Sequence, residues 1–291
     1  MNGIKVAAVQ MNCTKDVKVN IEKAKKLVCE AAEKGAKIIL LPELFERQYI
    51  CQERQYDYYD YAKTLEENDA VRTFCSVAKE YEAVLPVCFY EKDGTRLFNS
   101  VAVIDADGKV LGVYRKTHIP DDHFYQEKFY FTPGNTGFKV WNTRYGRLGI
   151  GICWDQWFPE TARCLALNGA DIIMYPTAIG SEPILECDSK GHWQRTMQGH
   201  SAANIVPVVA ANRYGTEYVT PSKENSNQSS SLTFYGSSFM TDETGAILCE
   251  AGRESDAILC AEYDFDEIRK KRMEWGLFRD RRPECYGKIC K

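Results

Sequence analysis

No stretch of this sequence approaches the roughly 18 consecutive apolar residues that a membrane-crossing helix needs. Met1 to Gln10 also lack the charged start and long apolar run of a secretory leader, so the expectation is a protein that stays in the cytoplasm. No cysteine pair has C-x-x-C spacing, and the four histidines form neither H-E-x-x-H nor H-x-x-x-H; a metal is therefore not expected. The chain has no basic block and a net charge of -4, which argues against a nucleic-acid partner. Gly146-Arg147-Leu148-Gly149-Ile150-Gly151 is no nucleotide loop, because its glycines miss the G-x-G-x-x-G offsets and it enters a strand instead of leaving one.

What is present is a balance of 44% hydrophobic and 27% charged residues over 291 positions, as in a soluble protein with a substantial core. The reading is one domain over residues 1–291, with 276–291 as a C-terminal tail. Twelve cysteines lie scattered through apolar runs such as Pro86-Val87-Cys88-Phe89, as reduced core residues do.

Short β-rich runs alternate with segments of helical period, the order that builds parallel sheets covered by helices. Ile4 to Gln10 and Lys37 to Pro42 read as buried strands around a helix from Val17 to Lys34. A helix at Val71 to Tyr81, a strand at Ala83 to Tyr90 and a hairpin turning at Ala106-Asp107-Gly108 follow. The second half repeats the plan. Gly35 to Pro42 and Gly169 to Pro176 share G-A-x-I-I-x-x-P; Arg147 to Cys153 answers Ile4 to Gln10; Pro207 to Asn212 answers Ala83 to Tyr90; Ser237 to Glu250 answers the hairpin. Four matches in one order imply a duplication: two similar halves, each a mixed sheet with helices outside, packed face to face. Asp264 to Trp275 reads as a late helix, and the Ser/Asn-rich Thr220 to Ser231 as a long mobile loop.

Ligands of such sheets gather beyond the carboxyl ends of the strands, where halves meet. Glu43, Lys116 and Cys153 each fall at such an end. A thiol needs a base to take its proton and a cation to favour the thiolate, and Glu43 and Lys116 supply both. Lys116 with the backbone N–H of Trp154 would receive the oxyanion of an attacked carbonyl. Taken singly, Cys153 is equally a core cysteine, Glu43 a loop carboxylate and Lys116 a solvated charge.

The segments LLPELF (40–45), YRKTHIP (114–120), QEKFYFTPG (126–134) and GIGICWDQWFPE (149–160) together resemble the nitrilase superfamily of carbon–nitrogen hydrolases, from Lys5 to about Tyr263. The resemblance implies a four-layer αββα sandwich, a cofactor-free hydrolase and usually a homo-oligomer. It also implies roles: Cys153 the nucleophile, Glu43 the general base, Lys116 the stabilising lysine and Glu127 a second glutamate that orients it. Within the superfamily, LPELFERQYICQ, HIPDDHFYQEKFYFTPG and YPTAIGSEP look most like enzymes that cleave a carbamoyl group from a small polyamine-like substrate. Charge logic agrees, since a ureido substrate ending in an ammonium calls for carboxylates at the far end of its pocket. Glu182 and Asp121, helped by Tyr49 and Gln126, are expected to hold that amine, with Trp154 and Trp157 as walls; Asp122 reads as a solvated turn residue. The alternative is another ureido substrate, such as β-ureidopropionate or an N-carbamoyl amino acid.

Overall fold

The computed structural model describes residues 3–181 and 187–290. Its first strand, β1 (Ile4–Gln10), alternates along its length: Ala7 and Val9 point to one layer, Val6 and Ala8 to another. Helix α1 (Val17–Glu33) starts where the Asp16 carboxylate accepts the N–H groups of Lys18 and Val19 at 2.9 and 3.2 Å, and buries a stripe of Ile21, Ala24, Leu27, Val28 and Ala31. It leads into β2 (Ile38–Leu40), parallel to β1. Helix α2 (Asp69–Tyr81), capped by Asn68, lies beside α1 on the outer face. Strands β3 (Leu85–Asp93), β4 (Arg96–Ile104) and β5 (Val110–Arg115) form a meander, joined in parallel to β2 through Ile39 N–H to Val84 O at 3.0 Å and Val84 N–H to Lys37 O at 2.8 Å.

The second half carries β6 (Val140–Thr143), β7 (Gly146–Ile150), α3 (Pro159–Leu167), β8 (Ile172–Pro176), α4 (Lys190–Asn204) and β9 (Val208–Ala211). A hairpin of β10 (Tyr214–Val219) and β11 (Ser230–Tyr235) follows, then β12 (Phe239–Thr241), β13 (Ile247–Glu250), β14 (Ala257–Tyr263) and α5 (Phe265–Trp275). The second sheet runs β13-β12-β9-β8-β7-β6. The first runs β14-β1-β2 and continues through the Val84 link into β3-β4-β5. Strand for strand the two orders correspond, with the same parallel and antiparallel senses.

Val6, Ala8, Ile38 and Leu40 of the first sheet pack against Leu148, Ile172, Met174 and Val209 of the second. Outside, α1 and α2 cover the first sheet, and α3 and α4 the second. This is the αββα sandwich that the repeated plan implies. Two features differ from the sequence reading. The edge strand preceding β7 in the second half is supplied in the first half by β14, from the other end of the chain. The stretch expected as a mobile loop is instead the tip of the β10–β11 hairpin, fastened by Asn225 Nδ2 to Glu53 Oε2 at 2.7 Å and Gln228 Nε2 to the Arg54 carbonyl at 2.9 Å. Among the described residues no helix is long and apolar enough to cross a membrane.

Candidate active site

The parallel strands β1, β2, β7 and β8 set the geometry. Glu43 follows β2 and Thr177 follows β8, and the Glu43 N–H meets the Thr177 carbonyl at 3.3 Å, so equivalent strands of the two halves converge here. Cys153 opens a single 3-10 turn (Cys153–Trp157) three residues beyond β7. Gly151 makes that sharp exit possible, because a Cβ there would stand 2.7 Å from the Tyr175 ring. Cys153 has a φ of 43°, a left-handed conformation that costs of order 1–3 kcal/mol in a non-glycine residue and persists only where its surroundings impose it. Leu44, directly after Glu43, has a φ of 45°. Backbone strain thus lies beside both groups.

Lys116, one residue past β5, carries its side chain into a fully enclosed place. Its Nζ donates to Glu43 Oε1 at 2.8 Å and to both oxygens of Glu127 at 2.9 and 2.7 Å. The three side chains are 0, 0 and 1% exposed. Gly134 lets the chain cross directly over this strand end: its N–H donates to the Lys116 carbonyl at 2.8 Å, and a Cβ would fall 2.1 Å from the Arg115 carbonyl oxygen. Glu43 Oε1 also accepts Asn99 Nδ2 at 2.6 Å, whereas Glu43 Oε2 is buried with no hydrogen-bond partner. That orphan oxygen is the cluster's free acceptor.

Burial would depress the Lys116 ammonium, but Glu127 and Glu43 outweigh it and hold its pKa well above the ordinary lysine value. Burial pushes Glu127 up to about 7, opposed by Lys116 and reinforced by the charge of Glu43. The Cys153 thiol is likewise raised, first by burial and then by the Glu43 carboxylate, with Lys116 pulling the other way and the Thr177 side chain hydrogen-bonded to it. Its Sγ also lies 3.8 Å from the Ala178 carbonyl oxygen. The Cys153 side chain is therefore held in its thiol form, with the Glu43 carboxylate near enough to act on it electrostatically.

Such a set, a buried sulfur with a base, an ammonium and a second acid from four separate segments, can carry acyl transfer to and from cysteine. Residues 5–273 match the family described as carbon-nitrogen hydrolase. The chain belongs to that family. Carbon–nitrogen hydrolases cleave amide-type bonds with water, and this chain is such an enzyme. Its relatives include the citrullinase of Francisella tularensis, 53% identical over 99% of both chains. The N-carbamoylputrescine amidase of Arabidopsis thaliana is 50% identical over 97% of this chain and 93% of its own. A carbon-nitrogen hydrolase from Helicobacter pylori G27 has a crystal structure with a TM-score of 0.90 and 35% identity, covering 99% of this chain and 98% of that one.

The remaining residues singled out in the sequence of this carbon–nitrogen hydrolase are placed less uniformly. Trp154 is 39% exposed and stands edge-on to Trp157, with ring centroids 6.3 Å apart. Tyr49 is buried, and its hydroxyl donates to Glu127 Oε1 at 2.6 Å, so it braces the cluster instead of standing free for an amine. Gln126 is also engaged: its Nε2 donates to the Gln52 carbonyl at 3.2 Å. Asp121 and Asp122 are exposed on the turn before Tyr125, and Glu182 lies outside the described residues.

Sequence reasoning missed Asn99, Thr177, Asp155 and Arg213. Asp155, fully buried, accepts Ile152 N–H and the Tyr114 hydroxyl on Oδ2 at 2.9 and 2.6 Å, and the His118 N–H on Oδ1 at 2.9 Å. It thereby ties the Cys153 turn to both flanks of Lys116. The available signals were a carboxylate inside Cys153-Trp154-Asp155 and an arginine two residues after the apolar run Val208-Val209-Ala210-Ala211.

Proposed function

We propose that this enzyme hydrolyses the carbamoyl amide of N-carbamoylputrescine to putrescine, ammonia and carbon dioxide, through a covalent intermediate on Cys153. The observation that carries the reading is the dry cluster of Glu43, Lys116 and Glu127 beside a thiol held at positive φ. The relatives named as acting on N-carbamoylputrescine support the choice of substrate.

Cys153 Sγ attacks the carbamoyl carbon while its proton passes to Glu43, whose Oε2 has no other partner. The carbonyl oxygen gains negative charge and is met by Lys116 and the Trp154 N–H, which lies at the start of its turn where N–H groups have no acceptor within it. Two of the three Lys116 contacts go to one carboxylate, so turning one N–H toward the oxyanion leaves both ion pairs made. Collapse expels ammonia with the proton from Glu43. Water then gives a proton to Glu43 and its hydroxide to the carbonyl, the sulfur leaves and recovers the proton, and the freed carbamic acid decomposes to amine and carbon dioxide. Water is the only co-reactant, and no cofactor enters.

Asp121 and Glu182 take the distal ammonium in this scheme, with Trp154 as a wall. Twelve free thiols suit the reducing cytoplasm. The outward apolar side chains of α5 make a homo-oligomer the expected state. A second reading, citrulline as substrate, is favoured by the 53% identity to a citrullinase. Ammonia release from N-carbamoylputrescine, citrulline and β-ureidopropionate separates the readings. We expect the diamine derivative to turn over fastest and Cys153→Ala to lose at least about a thousandfold. Preference for either acid rejects the assignment of Asp121 and Glu182.

A further inference from the structure

Arg213 is a buried cation that the proposed reaction does not use. Arg213, between β9 and β10, has a side chain of 0% exposure that pairs with the carboxylate of Glu217 of β10. Its Nη1 donates to Glu217 Oε1 at 2.8 Å and to the Arg47 carbonyl at 3.2 Å. Its Nη2 donates to the carbonyls of Glu43 and Leu44 at 2.8 and 2.9 Å. The other oxygen of Glu217 accepts the Tyr49 N–H at 2.6 Å. Glu43 and Tyr49 bound one short segment of the first half, whereas both charges come from the second.

A buried ion pair is a poor source of stability, because desolvating two charges offsets most of their attraction; apolar side chains of equal volume commonly serve a core as well or better. What an arginine adds is a planar fork with fixed directions. Here that fork takes three backbone carbonyls within five residues, one of them belonging to Glu43 itself, and spans the left-handed Leu44. Through Tyr49 the same pair reaches Glu127, since the Tyr49 backbone is pinned by Glu217 while its hydroxyl holds Glu127 Oε1.

We propose that the Arg213–Glu217 ion pair is the positioning device of the reaction: it sets Glu43 through the backbone and Glu127 through Tyr49, and so fixes both carboxylates around Lys116. Arg213 and Glu217 touch neither substrate nor the reacting atoms. The inference rests on the reading of Glu43, Lys116, Glu127 and Cys153 as the catalytic set.

The test uses Arg213→Ala, Arg213→Lys and Glu217→Gln in the full chain, with three readouts: ammonia release, alkylation of Cys153 by iodoacetamide, and folding followed by circular dichroism. Misplacing catalytic groups by about 1 Å costs roughly a hundredfold. Arg213→Ala should therefore lose about that factor in kcat while KM stays within about threefold, and added guanidinium should restore at least about tenfold. Glu217→Gln keeps the shape and provides the comparison should Arg213→Ala fail to fold; we expect a fall in kcat of about tenfold with native circular dichroism. The proposal is overturned if Glu217→Gln and Arg213→Lys fold and keep the parental kcat, or if activity falls only as the folded fraction falls and guanidinium restores nothing. A parent whose Cys153 alkylates no faster than its other thiols, and which releases no ammonia, instead overturns the assignment of the catalytic set.

Discussion

Glu127 shows how a carboxylate buried against a lysine acquires a pH dependence. Burial raises its pKa to about 7, and Lys116 and the Tyr49 hydroxyl limit the rise by favouring the charged form. Below that pH the folded enzyme protonates Glu127, loosening its grip on Lys116, so kcat/KM should fall on the acid side with a limb near 7. Tyr49→Phe removes a donor to the charged form, and the limb should then move to higher pH. A pH profile of parent and variant decides; a limb that stays in place or moves down refutes the bracing role given to Tyr49. At this scale Glu43, Lys116 and Cys153 were legible because each ends a strand, a place readable from local pattern. Asn99, Thr177 and Arg213 were not, since each earns its place through a contact with a distant segment, such as Asn99 Nδ2 on Glu43 at 2.6 Å.

Among the elements, the turn Cys153–Trp157 and the segment from Tyr114 to His118 are not neighbours in sequence, yet they move as one unit if Asp155 binds both. Removing its carboxylate strands buried donors on each side, and a hydrogen bond to a charged group is worth about 1.5–3 kcal/mol. Asp155→Ala should therefore lower stability by about 3 kcal/mol or more, read from the denaturant midpoint, and reduce kcat as Cys153 and Lys116 lose their common anchor. An unchanged midpoint would remove Asp155 from this role. Element positions followed the sequence closely where hydrophobic period and capping agreed, as in β1 and α1, which starts at Val17 behind Asp16. The β10–β11 hairpin escaped notice because its buried side mixes Val219, Leu232, Phe234 and Tyr235 with the charged Glu217, which breaks the apolar alternation. Strand β14 escaped because its partner, β1, lies at the opposite end of the chain, and no local signal carries a pairing such as Ile4 with Tyr263.

On the scale of the whole molecule, the duplication explains why the cluster lies where it does. Two like sheets packed face to face bring the carboxyl ends of β1 and β2 against those of β7 and β8, so groups placed after matching strands converge without a dedicated loop. The same architecture covers both sheets with helices, and α5 is attached separately, with Arg269 on Asp171 and Arg272 on the carbonyls of Ala170 and Ile205. Phe265 and Ile268 bury one side of α5, while Met273 and Trp275 remain 75 and 73% exposed. Trp275 also borders a cavity of about 600 Å³ with Ala202, Ile205 and Lys271. Large apolar side chains left in water on one helix end, next to a tail whose residues 279–290 are nearly all exposed, fit a surface completed by a second copy. Sedimentation should accordingly find a dimer or larger assembly, and Trp275→Arg should shift it toward a folded monomer. A parent chain that sediments as a monomer at every concentration rules this out. In that event the exposed end of α5 needs an occupant other than a second copy of this chain.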